Sequence, residues 1–154
     1  MSDIPDIVTI GQSDVIHHEG YDSTIVSPFV PAIRVASGPR SVFISGVTGA
    51  PVYHDHPHKP EVFDAIPVDG ASQARIAFEH LDQALRAAGA ERRDVVNLIR
   101  FFTDVAEDQD EVNRIQAEWF GGHVSTSTTV EVSRLATDPR LRLEIHVVAA
   151  APPA

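Results

Sequence analysis

Residues able to move protons lie close together on one short segment near the C-terminus. Along 141–147 (LRLEIHV), Arg142, Glu144 and His146 alternate with apolar residues, so all three side chains share one face of a strand. A glutamate whose pKa is raised by burial can act as a general acid or base, and a histidine titrates near neutral pH. Glu144 is therefore a candidate for catalysis, and His146 is a second candidate for proton transfer. The alternative is a polar ladder between neighbouring strands.

Three histidines form a second candidate group at 54–58 (HDHPH). Alternate residues of an extended segment share one face, so His54, His56 and His58 could converge, as three ligands of a zinc ion do. Pro57 interrupts that extended pattern. The sequence therefore favours a lid or proton-transfer role over a metal site. We expect His56 to be catalytic and His54 and His58 to contact the substrate.

The composition excludes several classes of function. The chain has 154 residues, a formal net charge of −10 and no cysteine. Such an acidic chain is repelled by phosphate backbones and anionic membranes, and it has no disulfide or thiolate chemistry. The N-terminal residues lack the pattern of a signal peptide, and no apolar run is long enough to span a membrane. We expect a cytoplasmic protein that binds a small molecule, and neither nucleic acid nor membrane.

Hydrophobic periodicity predicts the elements that position these residues. Strands are expected at 32–35, 41–46, 94–103, 128–132 and 141–147, helices at 72–89 and 107–120, and a long loop at 47–70. The last two strands would form a pair, with the polar residues of both on the same face. On the earlier strand these polar residues are Ser127, Thr129 and Glu131.

This order of elements predicts one α+β domain at 25–150, preceded by an extension at 1–24 with at most one edge strand and followed by a tail at 151–154. Both helices would pack on one face of the sheet. Apolar residues also occur on the other face, and self-association would bury them.

Four segments, in order, identify a resemblance to a known family. They are VFISG (42–46), LDQALRAAGAERRDVV (81–96), VNRIQAEWFGGH (112–123) and TVEVSRLATDPRLRLEIHVVAA (129–150). The chain resembles the RidA/YjgF family over roughly residues 25–150. The resemblance implies a chorismate-mutase-like α+β fold, with a mixed sheet and two helices on one face. It also implies a homotrimer with ligand pockets at the subunit interfaces. The implied activity is hydrolysis of enamines and imines to ammonia and a keto acid, without a metal or an organic cofactor.

The resemblance also suggests site residues, with one departure. The family's carboxylate-binding arginine precedes the residue matching Thr129 by two positions, where this chain has Ser127. The family glutamate falls at Glu144 if the preceding turn is two residues longer than usual, whereas an ungapped count places Arg142 there. The pocket tyrosine falls at Phe29. Further matching pocket positions are Ser45, Gly46 and Asn113.

A serine hydroxyl cannot replace the bidentate, charged contact of a guanidinium. Arg142 is the sequence's candidate for a relocated anchor. We therefore expect a diverged RidA-like enzyme that acts on an imine, an enamine or an activated carbonyl compound in a specialised pathway. The alternatives are a catalytically silent trimer that binds a small ligand, and a tautomerase, lyase or cyclase that uses the same pocket.

Overall fold

A computed structural model describes residues 8–10, 13–16, 23–24, 32–35 and 38–153. The two helices are α1 (Gly70–Ala87) and α2 (Val105–Phe120). Short 3-10 turns occur at Pro60–Phe63 and Arg92–Asp94. The strands are β1 (Val8–Ile10), β2 (Ser13–Ile16), β3 (Ala32–Val35), β4 (Arg40–Val47), β5 (Val95–Phe102), β6 (Thr126–Glu131) and β7 (Leu143–Ala151).

Four of the strands form a mixed sheet in the order β4-β7-β5-β6. Strands β5 and β6 are parallel and are joined through α2, whereas β7 is antiparallel to both β4 and β5. The predicted α+β class, with its mixed sheet, is confirmed. The predicted pairing of the last two strands is wrong, because β5 lies between β6 and β7. The sequence does indicate the central position of β5, because a continuous apolar run is typical of a strand that is buried on both faces.

Local capping determines where the two helices begin and end. Asp69 is the N-cap of α1, and its side chain accepts a hydrogen bond from the Ser72 amide at 2.7 Å. The helix therefore begins at Gly70, two residues before the start predicted from the sequence. Asp104 caps α2 in the same way, accepting from the Glu107 amide at 3.0 Å. Gly121 ends α2 with φ 59°, a left-handed conformation that favours glycine.

Both helices pack on the same face of the mixed sheet, as expected. The core between them and the sheet includes Phe78 and Leu81 of α1, Val112 of α2, and Leu98 and Ile145 of the central strands. Neither helix covers the other face of the sheet, where Phe43 of β4 is 75% exposed. One sheet face is thus a complete core, and the other carries apolar side chains in contact with solvent.

Strands β1, β2 and β3 form a separate antiparallel sheet. The sequence predicted one edge strand at most before residue 25, but two are present. They have only three and four residues, too few to show a clear period-two pattern. Within the part of the chain that the structure describes, neither helix is both long and apolar enough to cross a membrane.

Candidate functional site

A cleft of about 840 Å³ lies beside the uncovered sheet face. Its walls are β4, the following loop as far as His54, the C-terminal half of α1, and Glu144 of β7. Clefts of this size accommodate small organic molecules. No arginine or lysine of the described residues lines it. The sequence-predicted residues that line the cleft are Ser45, Gly46, His54 and Glu144.

A β-bulge brings Gly46 against Glu144. The register between β4 and β7 shifts between Ile44 and Val47, so Ser45 and Gly46 are both accommodated opposite a single residue of β7. A Cβ atom on Gly46 would lie 1.9 Å from Glu144 Oε1. The carboxyl group therefore fills the space that any larger residue at position 46 would need.

Glu144 has the environment expected of a proton-transfer group. Its side chain is half-buried, and none of the described residues donates a hydrogen bond to its carboxylate. Burial raises the pKa of Glu144, and the positive charge on protonated His146 opposes that rise to a smaller extent. A carboxyl group with a raised pKa exchanges protons more readily near neutral pH than an ordinary surface glutamate.

The three predicted loop histidines come together at the rim of the cleft. Their ring centroids lie 5.0 Å apart for His54 and His56, 4.9 Å for His54 and His58, and 4.5 Å for His56 and His58. The rings of His54 and His58 also pack edge-on against buried Phe63. The expectation that the imidazoles converge is therefore met in the structure, although Pro57 interrupts the segment.

The guanidinium of Arg142 is engaged away from the cleft. Its Nε atom lies 2.8 Å from Asp108 Oδ2, and its Nη2 atom lies 3.1 Å from Glu107 Oε2, both in the first turns of α2. Its backbone amide donates to Gln73 Oε1 at 2.8 Å. These contacts fix the entry into β7, two residues before Glu144.

On β6, Ser127, Thr129 and Glu131 lie on the opposite face of the sheet from Glu144, so the predicted shared face is wrong. Thr129 pairs with Arg100, which faces the helices, whereas Glu144 pairs with Phe101, which faces the other way. Neighbouring residues along a strand point to opposite faces. Because β5 intervenes between β6 and β7, alternation within each strand could not reveal this relationship.

Arg100 is a candidate that the sequence reasoning missed. It is only 6% exposed, and it donates to Thr129 Oγ1 from Nε at 3.0 Å and to Asn113 Oδ1 from Nη1 at 2.7 Å. None of its hydrogen-bond partners among the described residues is a carboxylate. Burial lowers its pKa, yet an arginine remains charged. The signal was present in VVNLIRFF, where one arginine interrupts an apolar strand.

Asn113 and Thr129 thus belong to the Arg100 cluster, with Ser127 on the same face of β6. Phe29 lies outside the described residues. His56 and His58 reach the cleft rim through their ring contacts with His54. One chain therefore carries two separate polar groups, the cleft with Glu144 and the buried Arg100 cluster.

Comparisons with known proteins agree with this fold. A solved Rid-family protein, YyfB from Yersinia pestis, has a TM-score of 0.73 at 20% identity, covering 91% of this chain and 99% of that one. A member of the YjgF/YER057c/UK114 family from Mycobacterium tuberculosis has a TM-score of 0.59 at 30% identity, covering 80% and 86%.

Sequence comparison identifies relatives and a family. The putative reactive intermediate deaminase TdcF of Escherichia coli K12 is 30% identical over 129 residues, which are 82% of this chain and 90% of TdcF. The mouse 2-iminobutanoate/2-iminopropanoate deaminase is 27% identical over 123 residues, 80% of this chain and 82% of that protein. The family described as Endoribonuclease L-PSP matches residues 23–151. The chain therefore belongs to the Endoribonuclease L-PSP family, that of the RidA/YjgF proteins.

Proposed function

We propose that this protein hydrolyses small 2-imino or enamine acids in the cleft beside Glu144. The observation that carries the proposal is the half-buried carboxyl group of Glu144, held against Gly46 without a hydrogen-bond donor among the described residues. Relatives named as deaminases of reactive intermediates and of 2-iminobutanoate support the reaction class. The formal charge of −10 disfavours RNA as a substrate.

In the proposed reaction Glu144 moves the protons. Its carboxylate accepts a proton from a water molecule as the water oxygen attacks the imine carbon, and the C=N electron pair moves to nitrogen. Protonated Glu144 then gives this proton to the nitrogen, which yields a neutral carbinolamine and restores the carboxylate. Glu144 then helps transfer the hydroxyl proton to the amine, so that the C–N bond breaks and ammonia leaves. The products are one 2-oxo acid and one ammonia for each imine and water consumed, and no external oxidant is required.

We further propose that a second copy of the chain completes the site in a homotrimer. The Arg100 cluster at edge strand β6 and the Glu144 cleft lie on opposite faces of one sheet, so one small molecule reaches both only if they come from different subunits. The exposed apolar side chains of Phe43 and Val130, which are 75% and 38% exposed, favour burial in such an interface.

In this arrangement Arg100 supplies the cationic anchor for the substrate carboxylate. It lies one strand away from Ser127, which occupies the family's arginine position. Within the part of the chain that the structure describes, Arg100 has no carboxylate partner, whereas Arg142 is paired with two carboxylates. The role of Arg142 as anchor stays a prediction from the sequence.

A catalytically silent trimer that binds a small ligand is the second candidate. It is favoured because no arginine or lysine of the described residues lines the cleft, so the cleft of one chain has no cation to orient the carboxylate of a 2-imino acid for hydrolysis.

One experiment separates the two candidates. 2-Imino acids are generated in situ by an amino acid oxidase, and ammonia release is followed with and without the protein. Acceleration over buffer supports the enzyme. Release at the buffer rate, combined with thermal stabilisation by 2-oxo acids, supports the silent binder. A rate at the buffer level without stabilisation contradicts both.

A further inference from the structure

The loop 54–58 carries a cluster of potential metal ligands that the proposed hydrolysis does not require. Each of its three histidines offers a ring nitrogen, and these ligand atoms all lie within 4.8 Å of one another. In a tetrahedral zinc site with Zn–N bonds of about 2.0–2.1 Å, such nitrogens lie about 3.3–3.4 Å apart. Small side-chain rotations would close the remaining gap.

The tautomer of His54 suits metal binding. Its Nδ1 atom lies 2.8 Å from the backbone carbonyl oxygen of Pro51. Because a carbonyl oxygen only accepts, Nδ1 is the donor in this contact, which leaves Nε2 as the ring nitrogen available to a metal ion. A ring nitrogen donating to a backbone carbonyl is the usual outer contact of a metal-bound histidine.

An unpartnered ring nitrogen of His58 is a second, independent observation in favour of metal binding. Its Nε2 atom is buried and has no hydrogen-bond partner among the described residues. Buried polar atoms are nearly always satisfied, so such an atom needs an explanation, and an unoccupied ion position is one. No hydrogen bond joins one of these three rings to another in the described part of the chain.

The surroundings hold the cluster in place. Phe63, 1% exposed, packs edge-on against the rings of His54 and His58. The 3-10 turn that follows the histidines is held by Arg140, which lies in the loop before β7. Arg140 donates hydrogen bonds to Asp64 at 2.9 Å and to the Pro60 carbonyl oxygen at 3.0 Å. Lys59 bonds Asp55 at 2.9 Å, which neutralises the charged residue inside the loop.

We propose that His54, His56 and His58 bind one divalent transition-metal ion of the Zn²⁺ type. Three neutral imidazoles satisfy the preference of borderline metals for nitrogen ligands and leave at least one coordination position open. His54 also lines the cleft. The open position therefore lies at the rim of the cleft, where water or a polar group of a bound molecule can occupy it.

The test uses full-length protein without an affinity tag, freed of metal and titrated with Zn²⁺ in a calorimeter. The expected result is one Zn²⁺ per chain. Replacing an exposed ligand with His56→Gln should weaken binding at least about 100-fold, because loss of an outer-shell partner alone costs about 10–100-fold. Co²⁺ provides a spectroscopic check, since four-coordinate Co²⁺ absorbs strongly in the visible range.

Two controls make the result specific. His123→Gln removes a histidine that packs on Phe120 and bonds the Val95 carbonyl, outside the cluster, and should leave the Zn²⁺ affinity unchanged. Replacing both His17 and His18, the two consecutive histidines near the N-terminus, tests whether they bind the Zn²⁺ instead. The proposal is overturned if Zn²⁺ does not bind stoichiometrically, if His56→Gln binds as the wild type does, or if binding is lost only in the His17/His18 variant.

Discussion

The substitution Gly46→Ala tests whether catalysis depends on the position of the Glu144 carboxyl group in the cleft. The new methyl group would lie 1.9 Å from Glu144 Oε1 and 2.7 Å from Cδ. The carboxyl group must retreat by about 1.5 Å to reach an ordinary contact distance. A misplacement of about 1 Å costs about 100-fold in rate, so kcat/KM for imine hydrolysis should fall at least about 100-fold.

The fold should tolerate this change. The clashing atoms belong to the free end of a flexible side chain, and alanine suits a strand better than glycine by about 0.5–1 kcal/mol. Thermal unfolding should therefore shift by no more than about 4 °C. A double-mutant cycle with Glu144→Gln supplies the control, because both changes act through one carboxyl group and their effects should not add. Fully additive losses, or an active Gly46→Ala variant, would refute the reasoning.

Three further outcomes are expected. Arg100→Met should weaken the binding of 2-oxobutanoate about 10- to 100-fold by calorimetry, since hydrogen bonds to charged groups contribute about 1.5–3 kcal/mol; unchanged affinity would exclude Arg100 as the anchor. Arg142→Ala should lower the free energy of unfolding in urea by about 2–3 kcal/mol, because it leaves the buried carboxylate of Asp108 without its partner. The loss should be smaller than for a fully buried ion pair, since the Arg142 side chain is 23% exposed. An unchanged unfolding midpoint would contradict this prediction. Because the pKa of Glu144 is raised, the folded state binds the proton of this carboxyl group more tightly than the unfolded chain does. The contribution of Glu144 to the free energy of unfolding is therefore full below the unfolded pKa of about 4.3. That contribution is lost as the pH rises through the folded pKa. Glu144→Gln should therefore raise the melting temperature relative to the wild type near neutral pH but not near pH 4, and a difference independent of pH would contradict the assignment.

Much of the fold could be predicted because its signals are local. The apolar stripe of α1 and the strict alternation of 141–147 depend only on neighbouring residues. Both elements are present, although the strand runs over Leu143–Ala151. Residues that line the cleft, such as Ser45 and Glu144, followed from the family resemblance. The family itself was recognisable from segments spread along the chain.

The arrangement across strands could not be predicted in the same way. Alternation states which residues of one strand share a face, but not which strand lies beside it. In the structure β5 lies between β6 and β7, and the register of the three strands places Thr129 on the face opposite Glu144. The same arrangement buries Arg100 beside Asn113 and Thr129. Such long-range polar contacts have no signature in a single sequence beyond an arginine in an apolar strand.

The central claim is that Glu144 drives hydrolysis of an imine in the cleft, and one comparison tests it most directly. Ammonia release from 2-iminobutanoate generated in situ should be faster with the wild type than with buffer. It should fall by about 100- to 10,000-fold in kcat with Glu144→Gln, the range for loss of a general acid or base. Glu79→Gln, at an exposed position on α1, should behave as the wild type does. Equal rates for the wild type and Glu144→Gln, both above buffer, would contradict the account.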